Sequence, residues 1–187
     1  MLKVIALSLG AIVVVAAIVI ALQPSAFVIE RTAAIQAPPG VIYPHIASPR
    51  AMNQWSPFAQ GDPEMKIVYA GPDSGVGASS SWDSAKMGKG TMTVTDVKAD
   101  REVAMRLEFL APMKATNRAQ FTLVPAGEVT RVTWRMEGNN GFLGKAFALF
   151  MGMDKVVGGE FEKGLASMKT LAEAEAPKRD VGAASAP

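Results

Sequence analysis

The chain has 187 residues, no cysteine and a single histidine, His45. Without thiols it can form no disulfide, present no thiolate nucleophile and build no cysteine-based metal site. One imidazole supplies too few ligands for a histidine-based metal site. The sequence therefore predicts a domain that folds on its apolar core alone, with no metal and no cofactor.

Excess charge of one sign is also lacking. The 19 lysines and arginines nearly balance the 17 acidic residues, which leaves a formal net charge of +2. No basic run with interleaved aromatic residues occurs, and such a run is the usual footprint of nucleic-acid binding. We expect no nucleic-acid partner.

A long apolar run lies at the amino terminus, where Ser8 is the only polar side chain between Val4 and Leu22. As a helix rising about 1.5 Å per residue, this run spans roughly the 30 Å hydrocarbon core of a bilayer. The run predicts a single-pass transmembrane anchor within residues 1–25. Lys3 is the only charge before it, and positive charge tends to stay inside. We therefore expect a cytoplasmic amino terminus and a domain on the periplasmic or other extracytoplasmic side.

A cleaved secretory signal is the alternative interpretation of this segment. Signals have a shorter apolar region of about 7–15 residues, followed by a cleavage site of small residues. Val19-Ile20-Ala21 offers such a site, but the run is longer than usual and Gln23-Pro24 departs from the pattern. Both interpretations take the rest of the chain out of the cytoplasm.

The hydrophobic period of the remaining chain changes twice. A strand over 27–36 and two short helices, 41–47 and 49–55, precede a region from 65 to 137 with period two and turn signals every 8–12 or so residues. That pattern is typical of an antiparallel sheet, here of about six further strands. From about Phe142 the period returns to 3.6, which predicts a long terminal helix. We expect one domain over 26–175 and a disordered tail over 176–187.

Several short sequence motifs accompany this order of elements. They are Ala37-Pro38-Pro39, Trp55-Ser56-Pro57, Asp62-Pro63, Tyr69-Ala70-Gly71-Pro72 with Gly75-Val76-Gly77-Ala78, Thr133-Trp134, and the run from Gly159 to Leu165. In this order they resemble the START-like (SRPBCC) superfamily, in its polyketide cyclase/dehydrase branch. The resemblance implies an α+β helix-grip fold, in which a curved seven-stranded antiparallel sheet wraps a long carboxy-terminal helix and encloses a pocket for apolar ligands. Members of that superfamily include lipid carriers, hormone receptors and aromatase/cyclases.

We predict that ten residues line this pocket, because they fall on strands or on the terminal helix that should face it. They are Trp82, Met92, Met105, Phe109, Asn117, Trp134, Met136, Met153, Val157 and Phe161. Flexible, polarisable thioethers suit a surface that adapts to variable apolar ligands. The competing interpretation is that the same side chains simply fill the core.

Candidates for chemistry are few, and we assign no catalytic residue. His45 could act as a general base, but no Ser or Asp partner lies near it in sequence, and a packed histidine is the competing interpretation. Asp154 and Glu160 are about 120° apart around a helix and do not share a face. An inward arginine–carboxylate pair could orient a ligand head group, although most strand charges should face solvent. These strand charges are Glu30, Arg31, Arg106, Arg118, Arg131 and Arg135.

The sequence thus favours a membrane-anchored binding module for a hydrophobic small molecule, lipid-like or polyketide-like. One alternative is a polyketide cyclase- or dehydratase-like enzyme. The other is a structural envelope domain whose core is filled and which takes no ligand. Ligand identity and oligomeric state are not specified by the sequence.

Overall fold

A computed structural model describes residues 2–177, with the side chains of residues 2 and 4–6 outside that description. Most of the predicted disordered tail, 178–187, lies outside the described residues. The apolar run forms α1 (Leu2–Leu22), as the sequence predicts. Counted over the described residues, no helix combines the length and the apolar character that a membrane crossing requires. The predicted anchor is therefore not confirmed.

Seven strands form one antiparallel sheet in the order β1-β7-β6-β5-β4-β3-β2. They are β1 (Ala26–Ile35), β2 (Lys66–Ala70), β3 (Ser79–Ser84), β4 (Gly88–Lys98), β5 (Glu102–Ala111), β6 (Ala115–Ala126) and β7 (Val129–Asn139). Strands β2 to β7 follow one another as a meander, and β1 pairs with β7, the last strand within residues 2–177. The predicted sheet is confirmed, including its seven strands.

Short helices α2 (Pro39–Ala47), α3 (Pro49–Met52) and α4 (Pro57–Gln60) follow β1. Each begins with proline, whose fixed φ suits the first helical position and whose missing N–H is not needed there. The predicted helix over 49–55 is wrong in its extent, because α3 ends at Met52, and α4 was not predicted. With only four residues, α4 is too short to show a hydrophobic period.

The predicted terminal helix is also wrong in its continuity. The structure divides it into α5 (Phe142–Phe147), a π-helical segment (Ala148–Gly152) and α6 (Met153–Glu175). Gly152 has φ of +68°, a left-handed conformation that breaks the helix and that glycine adopts without steric cost.

The inner face of the sheet packs against α6 and α2–α4. Alternate residues such as Ile29, Val103 and Phe121 point to that face and are almost completely buried, while their neighbours face outward. Helix α6 lies along β1: the Lys169 ammonium donates to the carbonyl of Ala34 (2.8 Å). This geometry is the helix-grip arrangement that the resemblance implied.

Candidate functional site

The strand residues predicted to line a pocket do share the inner face. Cross-strand register places Met105 opposite Ala119, which lies opposite Met136, and it places Phe109 and Trp82 on either side of Gly90. The Trp82 and Phe109 rings meet edge to face, with centroids 5.6 Å apart. On α6, Phe161 is buried in the core, and Met153 and Val157 pack against it in partly buried positions. Whether the ten residues line a ligand pocket stays a prediction.

The central part of the interface between sheet and helix is filled by aromatic rings. Trp134 stacks on Phe161 with centroids 4.0 Å apart and planes inclined by 5°. Phe121 and Trp55 approach the same indole, with centroids at 4.9 and 5.6 Å. Gly164 lies against this cluster, since a Cβ there would be 2.8 Å from the Trp134 ring. Here the residues act as core, which is the competing interpretation of the predicted pocket.

The inner face has a different character at the end of the sheet where β1 begins. Register aligns Phe27, Gly138, Asn117, Leu107 and Met92 across five neighbouring strands. We call this row the inner rim. Phe27 and Leu107 are half-buried, whereas Asn117 and Met92 are each 8% exposed. The rim is thus an apolar strip that contains one buried amide.

The Asn117 amide oxygen is buried and has no hydrogen-bond partner. Its side chain lies over Gly138, in the space that a Cβ at that position would take, and the Phe27 ring borders the same space. A buried acceptor without a donor costs about 1–3 kcal/mol, and most buried polar groups in native structures avoid that cost. An added donor, such as a hydroxyl or N–H on an apolar ligand, would remove it.

Neither of the two cavities described in the structure is lined by a helix residue. One of about 610 Å³ is lined mainly by residues of the outer face, such as Arg106, and its lining also includes Phe27, Asn117 and Gly138 of the inner rim and the predicted pocket residue Met105. Another of about 210 Å³ lies beside Asp62 and Lys86. The predicted hollow beneath α6 does not coincide with either one.

Most strand charges face outward, as the sequence analysis expected, and they pair with one another. The Arg135 guanidinium contacts Glu30 at 3.2 Å and Glu137 at 3.1 Å. Both contacts raise the pKa of Arg135, the one to Glu137 more strongly. Arg131 is exposed. This face offers solvated ion pairs and no inward head-group anchor.

Arg31 is the exception among the strand charges, because it lies on the inner side and reaches α6. Its guanidinium donates to the Asp154 carboxylate (3.0 Å), to the Asp154 carbonyl (3.0 Å) and to Glu162 (2.7 Å). The hydrogen bond from Arg31 lowers the pKa of Asp154. Gly158 leaves room for the guanidinium, since a Cβ there would collide with it. The cluster fastens α6 to β1 and leaves Arg31 already paired.

Glu160 does not share this cluster, because its carboxylate accepts from Lys163 at 2.7 Å. Asp154 and Glu160 therefore form no carboxylate pair, in line with the helical spacing.

His45 has a partner that sequence proximity could not reveal. Its Nε2 lies 2.9 Å from the Glu175 carboxylate, at the opposite end of the domain in sequence. Its carbonyl accepts from the Trp55 indole N–H (2.9 Å), and its Nδ1 is buried without a partner. His45 lines neither of the cavities described above. The residue joins α2 to the end of α6 in a packed position.

Sequence reasoning missed one buried polar corner. Asp62 is 4% exposed and accepts from the Ser84 hydroxyl at 2.6 Å, and the Ser84 oxygen in turn accepts from the amides of Lys86 and Met87. The Ser84 hydrogen bond is the main cause that lowers the pKa of Asp62. In the sequence, only the dipeptide Asp62-Pro63 pointed to this corner, and it did not indicate that Ser84 is the hydrogen-bond partner of Asp62.

A seven-stranded sheet gripping a terminal helix, with an apolar inner face, defines the class as a helix-grip domain. A family model described as "Polyketide cyclase / dehydrase and lipid transport" matches residues 26–173. The chain belongs to this family. The comparison with curated proteins gives no match.

Solved structures agree on the fold. A protein from Chromobacterium violaceum is 16% identical, with a TM-score of 0.59 over 81% of this chain and 98% of its own. A protein from Rhizobium loti is 20% identical, with a TM-score of 0.53 over 78% and 97%. A protein of the dynemicin biosynthetic locus is 16% identical, with a TM-score of 0.56 over 81% of this chain and 49% of its own.

Proposed function

We propose that this chain is a binding module for a hydrophobic small molecule, lipid-like or polyketide-like, that docks on the inner rim. The unpartnered Asn117 oxygen is the observation that carries the proposal. Apolar pockets commonly hold a few polar groups that fix the orientation of a ligand. Here one buried acceptor lies between the half-buried side chains of Phe27 and Leu107, on five strands of a fold whose family description includes lipid transport.

The chemistry of the rim defines the ligand class. An acceptor without a donor selects a head group that carries a hydroxyl or N–H, and the apolar neighbours select a hydrocarbon or aromatic body. The flexible thioether of Met92 can adapt to different bodies. The filled centre around Trp134 and Phe161 limits the ligand to the rim end of the inner face.

The test uses the full chain stabilised in amphipol and a monoacylglycerol with a fluorescent acyl chain. We expect binding to the wild type, and weaker binding of a methyl ether analogue that has no hydroxyl. Asn117→Leu should weaken monoacylglycerol binding by a factor of about five, which corresponds to about 1 kcal/mol for one hydrogen bond. The stability of this variant should not fall, because the change removes an unpaired buried acceptor.

Gln120→Leu is the matched control, because Gln120 lies on the same strand but on the outer face. It should leave binding unchanged. If no lipid, sterol or aromatic polyketide probe binds, and native mass spectrometry finds no co-purifying mass, the module is a structural domain without a ligand. An enzyme of cyclase type has less support, since His45 is occupied by Glu175 away from the rim.

The second part of the proposal is that α1 anchors this module to a membrane, with the amino terminus in the cytoplasm and the domain on the other side. Its support is the apolar sequence from Val4 to Leu22, which includes positions whose side chains the structure does not describe, and the exposure of side chains that it does describe. Leu7, Ile12 and Leu22 are each more than half exposed. Alkaline carbonate extraction of membranes from cells that express the full chain tests it. Retention of the intact mass supports an anchor, whereas a soluble product that lacks the first residues indicates a cleaved signal.

A further inference from the structure

We infer that α5 and the π-helical segment, residues 142–152, form a second contact with the lipid bilayer beside α1. This inference rests on the proposed anchoring by α1. It adds a membrane-facing surface on the folded domain, outside the apolar run.

The segment exposes an unusual amount of apolar surface. Phe150 is 70% and Leu143 is 62% exposed, and four further large side chains within ten residues are more than a third exposed. We call the six residues the apolar patch: Phe142, Leu143, Phe147, Leu149, Phe150 and Met151. Six large exposed apolar side chains within ten residues of a folded domain point to an interaction site.

The patch is continuous with the end of α1. The Lys145 ammonium donates to the carbonyl of Ala21 at 2.9 Å, and the amide of Asn140 donates to the carbonyl of Ser25 at 2.7 Å. Ile20, near the end of α1, is 8% exposed, while most other large side chains of the described part of that helix are exposed. The patch therefore begins where the apolar run ends.

The position of Lys145 favours a bilayer as the occupant. It is the only charged residue of 142–152, and its ammonium lies at the carbonyl end of α1, where the helix dipole is negative. Lysines at the end of a membrane helix place their charge among the lipid head groups while their stems lie along apolar surface. If α1 spans the bilayer, this bond holds the patch at the level of the membrane surface, where aromatic side chains are favoured.

The absence of cysteine permits a clean test, because a single introduced thiol can be labelled with the environment-sensitive dye NBD. We would label Phe150→Cys in the full chain, reconstituted in vesicles of phosphatidylcholine and phosphatidylglycerol, with doxyl lipids as quenchers. Val124→Cys is the matched control. Val124 is half exposed on β6, about 26 Å along the sheet from the start of β1 at roughly 3.3 Å per residue. Val13→Cys reports insertion of α1.

At position 150 we expect a blue shift of the NBD emission and quenching of that emission by the doxyl lipids. At position 124 we expect neither effect. Leu143→Cys should reproduce the result for position 150. Quenching at position 13 without quenching at 150 or 143 overturns the inference and leaves the anchor intact. If none of these positions is quenched, both the anchor and the inference fail, while ligand binding at the rim is unaffected. A blue shift at position 150 without quenching, together with cross-linking between chains, assigns the patch to a second copy and overturns the inference.

Discussion

Two adjacent glycines of α6 have very different surroundings. A Cβ at position 158 would collide with the Arg31 guanidinium, whereas a Cβ at 159 would meet nothing within 4 Å. We expect Gly158→Ala to lower the free energy of unfolding by up to about 1 kcal/mol, because the methyl group displaces the flexible end of Arg31 from two exposed carboxylates. Gly159→Ala should raise it by up to about 1 kcal/mol through helix propensity. Urea denaturation of both variants is the measurement, and equal effects at the two sites would contradict the Arg31 geometry.

The Asp62–Ser84 corner predicts an acid-dependent contribution to stability. The pKa of Asp62 is lowered from its ordinary value of 3.8, mainly by the Ser84 hydroxyl. When folding lowers the pKa of a carboxyl, the carboxyl stabilises the folded state. This contribution is fully present at pH values above the pKa of the unfolded state, and it is lost as the pH falls through the pKa of the folded state. Below pH 4 or so, the wild type should therefore lose stability more steeply than Asp62→Asn. Ser84→Ala should also make the free energy of unfolding less dependent on pH in the acid range. The measurement is urea denaturation at a series of pH values, and a pH dependence of either variant parallel to that of the wild type would contradict the hydrogen bond as the cause.

At the scale of elements, the sheet could be predicted and the helix breaks could not. Strict alternation, as in Val103, Met105 and Leu107, together with regular turn signals, indicates each strand. The break at Gly152 is invisible to this reasoning, because apolar residues continue on both sides of it and only the backbone conformation changes. Gly158, Gly159 and Gly164 look alike in the sequence, although their surroundings in α6 differ. Gly158 accommodates a guanidinium, Gly164 lies against the Trp134 ring, and Gly159 has no structural explanation.

The break between the π-helical segment and α6 depends on the conformation of Gly152. At φ of +68° an L-residue with a Cβ is strained, by roughly 1–2 kcal/mol. We expect Gly152→Ala to destabilise the chain by about that amount, and Gly152→Asn to cost less because asparagine tolerates the left-handed region. Thermal unfolding followed by circular dichroism compares the two. A neutral Gly152→Ala would imply a continuous helix through this point.

At the scale of the molecule, the inner face was predictable but its filling was not. Period and register place Asn117, Met105 and Trp134 on one face, and all three are among the residues that the sequence predicts for the pocket. Which part of that face is occupied depends on Trp55, in the turn between α3 and α4, and on Phe58 in α4. Nothing in their own neighbourhood specifies a partner some eighty residues away. The unpaired state of the Asn117 oxygen is likewise a property of the assembled fold, since it depends on Gly138 and Phe27 on other strands.

The filled centre has a measurable consequence for the molecule as a whole. Phe161 is 1% exposed and stacks on Trp134, so Phe161→Ala should lower the free energy of unfolding by about 3–5 kcal/mol through lost burial and a new cavity. Phe150→Ala is the matched control, eleven residues earlier and 70% exposed, and in detergent it should change stability by less than about 0.5 kcal/mol. An apolar cavity of that kind stays dry and accepts small aromatic molecules. Benzene should therefore restore part of the stability of Phe161→Ala and leave the wild type unchanged. Equal stabilisation of the wild type would mean that the centre already holds open space, and the ligand site would then extend from the rim to beneath α6.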